Sequence, residues 1–282
     1  MWRKFRTASF LIAACCLGCA SVEAGSPDDT FANGNALLAQ GDLNGAMKAF
    51  AKAATADRTN QQYLQQFMLV RRAVQLKESL AKETDAARWM QSAQALRAFY
   101  VSNGLHAQAL PIDQEVFRRA KSADSAVLLA ETLLAMDRQD AAAEMLGGLG
   151  PAATTPATRA LLSVSLARQG KLDEAQRIAQ DLSGEAQKDP ASLYLFARMQ
   201  AAVGAQQLAV SLLTRCFESV PPSQLDNLKT HVRKCPDFQQ VASTPAFAKA
   251  LQVTSKVPES QCSGGTSCGN CPLRGSCAKG GE

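Results

Sequence analysis

The sequence predicts an all-α fold, built from antiparallel helix pairs that stack along the chain. The 282 residues are 46% hydrophobic but only 6% aromatic, alanine, leucine and glutamine dominate, and β-branched residues are sparse. This composition favours helix. A ladder of small and apolar residues also recurs along the chain. In addition, turn residues follow one another at intervals of 33, 33 and 34 residues, at Gly104, Asp137, Gly170 and Gly204.

The ladder places a small or apolar residue at intervals of seven, five, four and three positions. Its clearest copies are Gly34, Gly41, Ala46, Phe50 and Ala53; Ser163, Gly170, Ala175, Ala179 and Leu182; and Ala197, Gly204, Ala209, Leu213 and Cys216. Small residues let helix axes approach closely, and the larger ones fill the space between neighbouring pairs. A glycine between the two helices of a pair tolerates the backbone angles that end a helix.

These features make residues 27–221 resemble a tetratricopeptide repeat (TPR) protein, a family with a period of about 34 residues. The match is clearest over 27–60, 156–189 and 190–222, and weaker over 123–155. The resemblance implies a right-handed α-solenoid whose groove binds a protein or peptide partner. The chain departs from the family's pattern in two ways. The aromatic residue of the first helix is mostly missing, and the stretch 60–84 reads as one long helix without a turn glycine. A generic helical bundle is the alternative.

The repeat register implies which side chains line the inner groove of such a solenoid. They lie on the first helices of successive pairs and are Asn35, Leu128, Glu131, Val164, Arg168, Tyr194 and Arg198. The two arginines would hold a carboxylate or a peptide backbone, because a guanidinium group offers a planar fork of donors. The alternative is that they are ordinary solvated charges. The paired Lys and Asn of the family's carboxylate clamp are not present, so binding of chaperone tails is not expected.

The repeat pattern ends after Pro222. Residues 222–253 read as capping helices, in which an amphipathic helix precedes two short helical turns anchored by Phe238 and Phe247. A Pro-Asp-Phe turn followed by Pro-x-Phe resembles the closing element of many repeat proteins, and a terminal element must cover the last apolar face. Residues 254–282 are rich in Gly, Ser and Cys and have almost no large apolar side chains, so we expect a disordered, flexible tail.

Residues 1–24 read as a secretory signal peptide. The charged start MWRKFR precedes an uncharged apolar stretch, and Val22 and Ala24 supply the small residues that signal peptidase needs before Gly25. We therefore expect export to the periplasm or the extracellular space. The alternative is a lipoprotein anchored to the membrane at Cys15 or Cys19, because IAAC and LGC resemble lipoboxes.

Export would leave six of the nine cysteines, an even number that permits complete disulfide pairing. A bond between Cys216 and Cys235 would fasten the cap to the repeats, unless Cys216 only fills a small buried position. The other four cysteines lie in the tail, at Cys262, Cys268, Cys271 and Cys277. Two disulfides are the simplest state of this cluster, and zinc or an iron–sulfur cluster is the alternative.

Charge and motif content exclude some functions. The formal net charge is +5, and no dense basic run or row of stacking aromatics is present, so a nucleic-acid partner is not expected. His106 and His231 lie in different parts of the chain without a nearby catalytic motif, so we expect no enzyme. The sequence therefore favours an exported scaffold that binds a protein or peptide. The alternative is a metal-binding or thiol-redox protein that acts through the tail cysteines.

Overall fold

The computed structural model describes residues 26–184 and 189–258. Within these residues it contains 14 α-helices and no strand, which confirms the predicted all-α fold. The chain divides into two compact units between Gln75 and Leu76. The predicted signal peptide at 1–24 and the four tail cysteines lie outside the described residues.

The first unit contains a helix pair and the start of a long third helix. Its elements are α1 (Pro27–Ala39), α2 (Leu43–Ala56) and α3 (Gln61–Leu80), of which α3 crosses the division. Ser26 and Asp29 form a capping box at the start of α1. A Cβ atom at Gly34 would lie 2.6 Å from Cε1 of Phe50, which is fully buried. The small residue that the ladder places on α1 is therefore required by the close approach of the Phe50 ring.

The second unit continues as helix pairs. They are α4 (Ala86–Ser102) with α5 (His106–Ala120), α6 (Ala123–Ala135) with α7 (Gln139–Gly147), α8 (Pro156–Arg168) with α9 (Leu172–Asp181), and α10 (Pro190–Ala202) with α11 (Gln206–Ser219). The two helices of each pair are joined by a short turn and pack on each other. Connections this short make the two helices antiparallel. The predicted stack of helix pairs is therefore confirmed in this unit.

The predicted turn residues all adopt the backbone conformation that the sequence requires of them. Gly104, Gly170 and Gly204 have φ angles of +72°, +80° and +88°, and Gly41 in the first unit has +81°. Asp137 takes the same place in its hairpin with φ of +54°. Asp and Asn tolerate this left-handed region better than other side chains, so Asp137 substitutes for glycine here.

The core of the second unit runs through its last helix pairs as one apolar cluster. Ladder residues form its tightest contacts, since Ala175, Ala209, Leu213 and Cys216 have no exposed surface. Leu182 is also fully buried. The ladder therefore marks the positions where successive pairs press together, as the sequence predicts.

A three-helix cap follows the last pair. It consists of α12 (Pro222–Lys234), a 3₁₀ turn at Pro236–Phe238, α13 (Gln239–Ala242) and α14 (Pro245–Ala250). Phe238 and Phe247, the predicted anchors, are 1% and 3% exposed. Their rings join the apolar cluster of the preceding pairs.

The boundary between the two units lies within residues 27–221, over which the sequence predicts one repeat array. The division falls inside α3, the long helix that lacks a turn glycine. A helix of 20 residues continues where a hairpin would turn back. The boundary between the two units therefore coincides with the long helix.

Candidate partner-binding surface

The structure brings four of the predicted groove residues together. Glu131 lies on α6, Arg168 ends α8, and Tyr194 and Arg198 lie on α10. Asn35 is exposed on α1, in the other unit. Two further residues assigned to the groove differ from expectation. Val164 is fully buried in the core, and Leu128 is half-buried, with its carbonyl oxygen accepting a hydrogen bond from Arg97 at 3.4 Å.

The two groove arginines bind a carboxylate of the chain itself. Nε of Arg168 donates to Oδ1 of Asp237 at 2.7 Å, and Nε of Arg198 donates to Oδ2 at 2.8 Å. Nη1 of Arg198 also donates to both carboxylate oxygens of Glu131, at 2.5 and 2.6 Å. Nη1 of Arg168 donates to the carbonyl oxygen of Leu134 at 2.8 Å. We call Glu131, Arg168, Arg198 and Asp237 the inner clasp.

Burial and charge set the state of Asp237. The side chain is 2% exposed, and burial alone would raise the pKa of its carboxyl. The charges and hydrogen bonds of Arg198 and Arg168 outweigh this effect, so the pKa is lowered and Asp237 stays ionised. Breaking a buried ion pair by removing one partner typically costs about 3–5 kcal/mol. The inner clasp therefore holds the cap firmly against α8 and α10.

Tyr194 is engaged by the cap as well. Its hydroxyl lies 2.9 Å from Nε2 of His231 on α12, and its ring packs near the Phe238 ring with centroids 6.1 Å apart. The guanidinium of Arg198 lies 5.6 Å from the centre of the Tyr194 ring. The four residues thus contact the cap segment or one another. Their role in binding a partner stays a prediction, and the structure gives them an internal role.

Sequence reasoning missed two buried acidic residues of the second unit. The sequence places Asp237 only in the Pro-Asp-Phe turn, whereas in the structure both arginines converge on it. Asp113 on α5 is fully buried and accepts from Nε of Arg97 at 2.6 Å and from the hydroxyl of Thr132 at 2.5 Å. Burial raises the pKa of the Asp113 carboxyl despite these partners. The available signal is an acidic residue at the helical spacing of apolar ones, since Asp113 lies four residues after Ala109 and three before Val116.

The disulfide considered between Cys216 and Cys235 is not formed. Both thiols are buried and free. Sγ of Cys216 donates to the carbonyl oxygen of Pro190 at 3.2 Å, while Sγ of Cys235 lies 3.6 Å from Oδ2 of Asp237. Each thiol thus faces a different acceptor. Burial raises the pKa of Cys216 to about 11 and also raises that of Cys235, so both are weak nucleophiles.

An open groove lies between the second helices of two successive pairs. Helices α7 and α9 form its walls, α8 and Ile178 at the base of α9 form its floor, and its volume is about 760 Å³. The floor is apolar, with contributions from Leu162, Leu166 and Ile178. Charged side chains line the walls, namely Asp140, Glu144, Lys171, Glu174, Arg177 and Asp181. We call this surface the outer groove. An apolar floor between charged walls suits a protein segment.

Residues 26–184 and 189–258 offer little for other chemistry. They contain no group of three or more His, Cys, Asp or Glu side chains placed to hold a metal ion. No helix in these residues is both long enough and apolar enough to cross a membrane. Nδ1 of His106 is buried without a hydrogen-bond partner. The proposed zinc or iron–sulfur site at the tail cysteines lies outside the described residues.

Two TPR proteins are among the solved structures that are similar to this chain. No protein-family model and no curated protein matches the chain. A thermophilic TPR protein of Thermus thermophilus is 15% identical, with a TM-score of 0.38; the match covers 80% of this chain and 99% of that one. A tetratricopeptide repeat protein of Parabacteroides merdae is 16% identical, with a TM-score of 0.40 and coverage of 80% and 97%.

These two proteins belong to the family that residues 27–221 resemble. Likenesses this loose carry no argument about function. The description of the chain as TPR-like helix pairs rests on its own 33- and 34-residue turn spacing, its left-handed turns and its buried ladder residues.

Proposed function

We propose that the protein is a non-enzymatic scaffold that holds a segment of a partner protein in the outer groove. The observation that carries this proposal is the groove itself, which combines an apolar floor with charged walls over about 760 Å³. Interfaces of this kind exclude water from an apolar centre and keep charges at the rim. The charged side chains on both walls are exposed, so an incoming segment reaches them without any rearrangement of the helices.

The contacts on the inner face also favour the outer groove as the partner-binding surface. The groups that a partner would use there already bind Asp237 and His231 of the chain. A competing ligand would have to replace a carboxylate that is 2% exposed and the packing of Phe238. Binding in the outer groove requires no such displacement of the chain's own side chains. We therefore assign partner binding to the outer groove.

We also propose that the scaffold acts after export. The support is the order of charged, apolar and small residues in 1–24. In an oxidising compartment the four tail cysteines would form two disulfides. The tail then serves as an appendage to the scaffold, and partner binding does not require it.

Co-purification of partners from the exporting host tests the scaffold. The Ile178→Gln variant replaces an apolar side chain of the groove floor with a polar one of similar length. We expect it to weaken partner binding about tenfold or more, since a buried anchor of this size contributes about 1.5–3 kcal/mol and about 1.4 kcal/mol corresponds to tenfold in affinity. Leu172→Gln is the matched control, because Leu172 lies on the same helix, is 46% exposed and does not line the groove.

The control variant and a chain ending at Pro258 should both retain the partner. Equal thermal melting of all variants would show that the fold is kept. Undiminished recovery with Ile178→Gln would contradict the groove assignment. Loss of recovery only in the shortened chain would instead favour the metal-binding or thiol-redox alternative in the tail.

A further inference from the structure

The two walls of the outer groove carry different charges. Asp140 and Glu144 lie one turn apart on α7 and are exposed. Lys171 and Arg177 lie at the start and in the second turn of α9, and are also exposed. None of these four side chains forms an ion pair with another described residue. The helices thus hold opposite charges apart across the groove.

Two more acidic residues complete the α9 wall. Asp181 is paired with Nη2 of Arg159 at 2.9 Å, so its charge is already matched. Glu174 has no such partner among the described residues and lies between the two basic side chains in sequence. With Asp181 matched, the α9 wall keeps two cations and one anion. The α7 wall keeps two anions.

A neighbouring cleft shows that this charge pattern is particular to the outer groove. The cleft between α9, α10 and α11 has a volume of about 460 Å³. All of its lining side chains are uncharged, with glutamines and Leu208 prominent among them. Similar helix packing therefore produces a neutral cleft one repeat further on. The charged walls follow from the residues of α7 and α9 and not from the fold.

The length of the groove limits the size of the segment that it can bind. Helix α7 has 9 residues and α9 has 10, which corresponds to about 15 Å at about 1.5 Å per residue. An extended chain covers that distance with about five residues. The occupant is therefore a short segment and not a whole domain.

We infer that the outer groove binds a short amphipathic segment of another protein, with basic side chains facing α7, acidic side chains facing α9 and apolar side chains on the floor. This inference rests on the scaffold function proposed above and adds the chemistry of the partner. The segment brings a cation to Asp140 and Glu144 and an anion to Lys171 and Arg177. Charge complementarity of this kind selects the partner and its direction in the groove more than it adds affinity.

Selection from a library of short random peptides displayed on phage tests the inference with the full-length protein as bait. We expect the recovered peptides to contain apolar residues together with both lysine or arginine and aspartate or glutamate. Asp140→Lys with Glu144→Lys should weaken these peptides about tenfold and select acidic peptides instead. Lys171→Glu with Arg177→Glu should weaken them similarly and select basic ones.

A matched control reverses two charges elsewhere. Lys48 and Lys52 are exposed on α2 in the first unit, one turn apart, and Lys48→Glu with Lys52→Glu should leave the selection unchanged. Ile178→Gln should abolish capture of all selected peptides. Circular dichroism would verify that each variant remains helical.

The outcomes distinguish failure of this inference from failure of the proposed scaffold function. If Ile178→Gln abolishes capture of the selected peptides but the charge reversals leave their capture unchanged, the proposed partner chemistry is wrong and the scaffold function is kept. Peptides that no groove variant affects would overturn the groove as the site. No capture by the full chain, with capture after removal of 259–282, would assign the groove to the chain's own tail. Dimers that Ile178→Gln dissociates would assign it to a second copy. No capture in any form would contradict the scaffold itself.

Discussion

At the scale of single residues, Asp237 determines which groups stay available on the inner face of the last helix pairs. Its two carboxylate oxygens accept from Arg168 on α8 and Arg198 on α10. Glu131 on α6 binds the remaining side of Arg198. Three successive first helices are therefore linked through one turn of the cap, and the predicted partner site becomes a structural contact.

Substitution of a turn glycine tests the need for a left-handed backbone, because the added side chain would clash with no neighbour. Gly170 has φ of +80°, and a Cβ atom there would meet nothing within 4 Å. Gly170→Ala should therefore lower the free energy of unfolding by about 1–2 kcal/mol through backbone strain alone. Gly147→Ala is the matched control, since Gly147 ends α7, has an ordinary helical backbone and equally open surroundings.

The control should leave stability unchanged or raise it by up to about 1 kcal/mol, because alanine favours helix. Urea unfolding measures both variants. Equal stability of Gly170→Ala and the unsubstituted chain would mean that the turn does not need a left-handed residue, against the repeat interpretation.

Some residues of this structure could be predicted from the sequence and others could not. The ladder residues and turn glycines repeat at fixed spacing, so their burial and backbone conformation follow from local pattern. Asp237 lies 69 residues from Arg168 and 39 from Arg198. No local pattern specifies pairs so distant, because they depend on how the cap folds back. The sequence identified both arginines but not their partner.

At the scale of elements, α12 shows how the cap is held. Its His231 lies against Tyr194 of α10, at 2.9 Å from the hydroxyl. Burial lowers the pKa of His231 below its ordinary value of 6.5, and the positive charge of Arg198 lowers it further, while Glu131 opposes the shift. The folded protein therefore favours the neutral imidazole, which can accept a hydrogen bond from Tyr194.

This shift predicts how stability depends on pH. A histidine whose pKa is lowered by folding binds its proton more readily in the unfolded chain. The free energy of unfolding should therefore decrease as the pH falls through about 6.5, the ordinary histidine pKa, and reach its full value above that range. His231→Gln should show a smaller decrease over the same range.

Thermal unfolding followed by circular dichroism between about pH 7.5 and about pH 5, on either side of the ordinary histidine pKa, measures this difference. His106→Gln serves as the control, because His106 is the other histidine of the chain and begins α5 in a different helix pair. An identical pH dependence of the His231 variant and the unsubstituted chain would show that α12 is not held through this contact.

The cap also shows which features of the helices can be predicted from the sequence and which cannot. Proline at the first position of α8, α10, α12 and α14, with side-chain caps at Thr155, Asp189 and Thr244, makes several helix starts readable from sequence. The Pro-Asp-Phe and Pro-x-Phe patterns likewise predict Phe238 and Phe247 as anchors. The placement of the Pro236–Phe238 turn on the inner face could not be predicted, since sequence pattern does not orient one element against another.

At the scale of the whole molecule, we assign support and recognition to different faces of the second unit. The first helices of the last pairs are tied together on their inner side by the inner clasp. The second helices leave the outer groove open beside them. The same helix pairs therefore use one face for their own stability and leave open another, to which we assign partner binding.

Hydrogen exchange of the full chain, alone and saturated with a peptide selected on it, tests this division most directly. We predict slower exchange in α7 and α9 on binding, and unchanged exchange in residues 235–241. Faster exchange in 235–241, with α7 and α9 unaffected, would contradict this division of roles. It would show that partners displace Asp237 and bind the inner face after all.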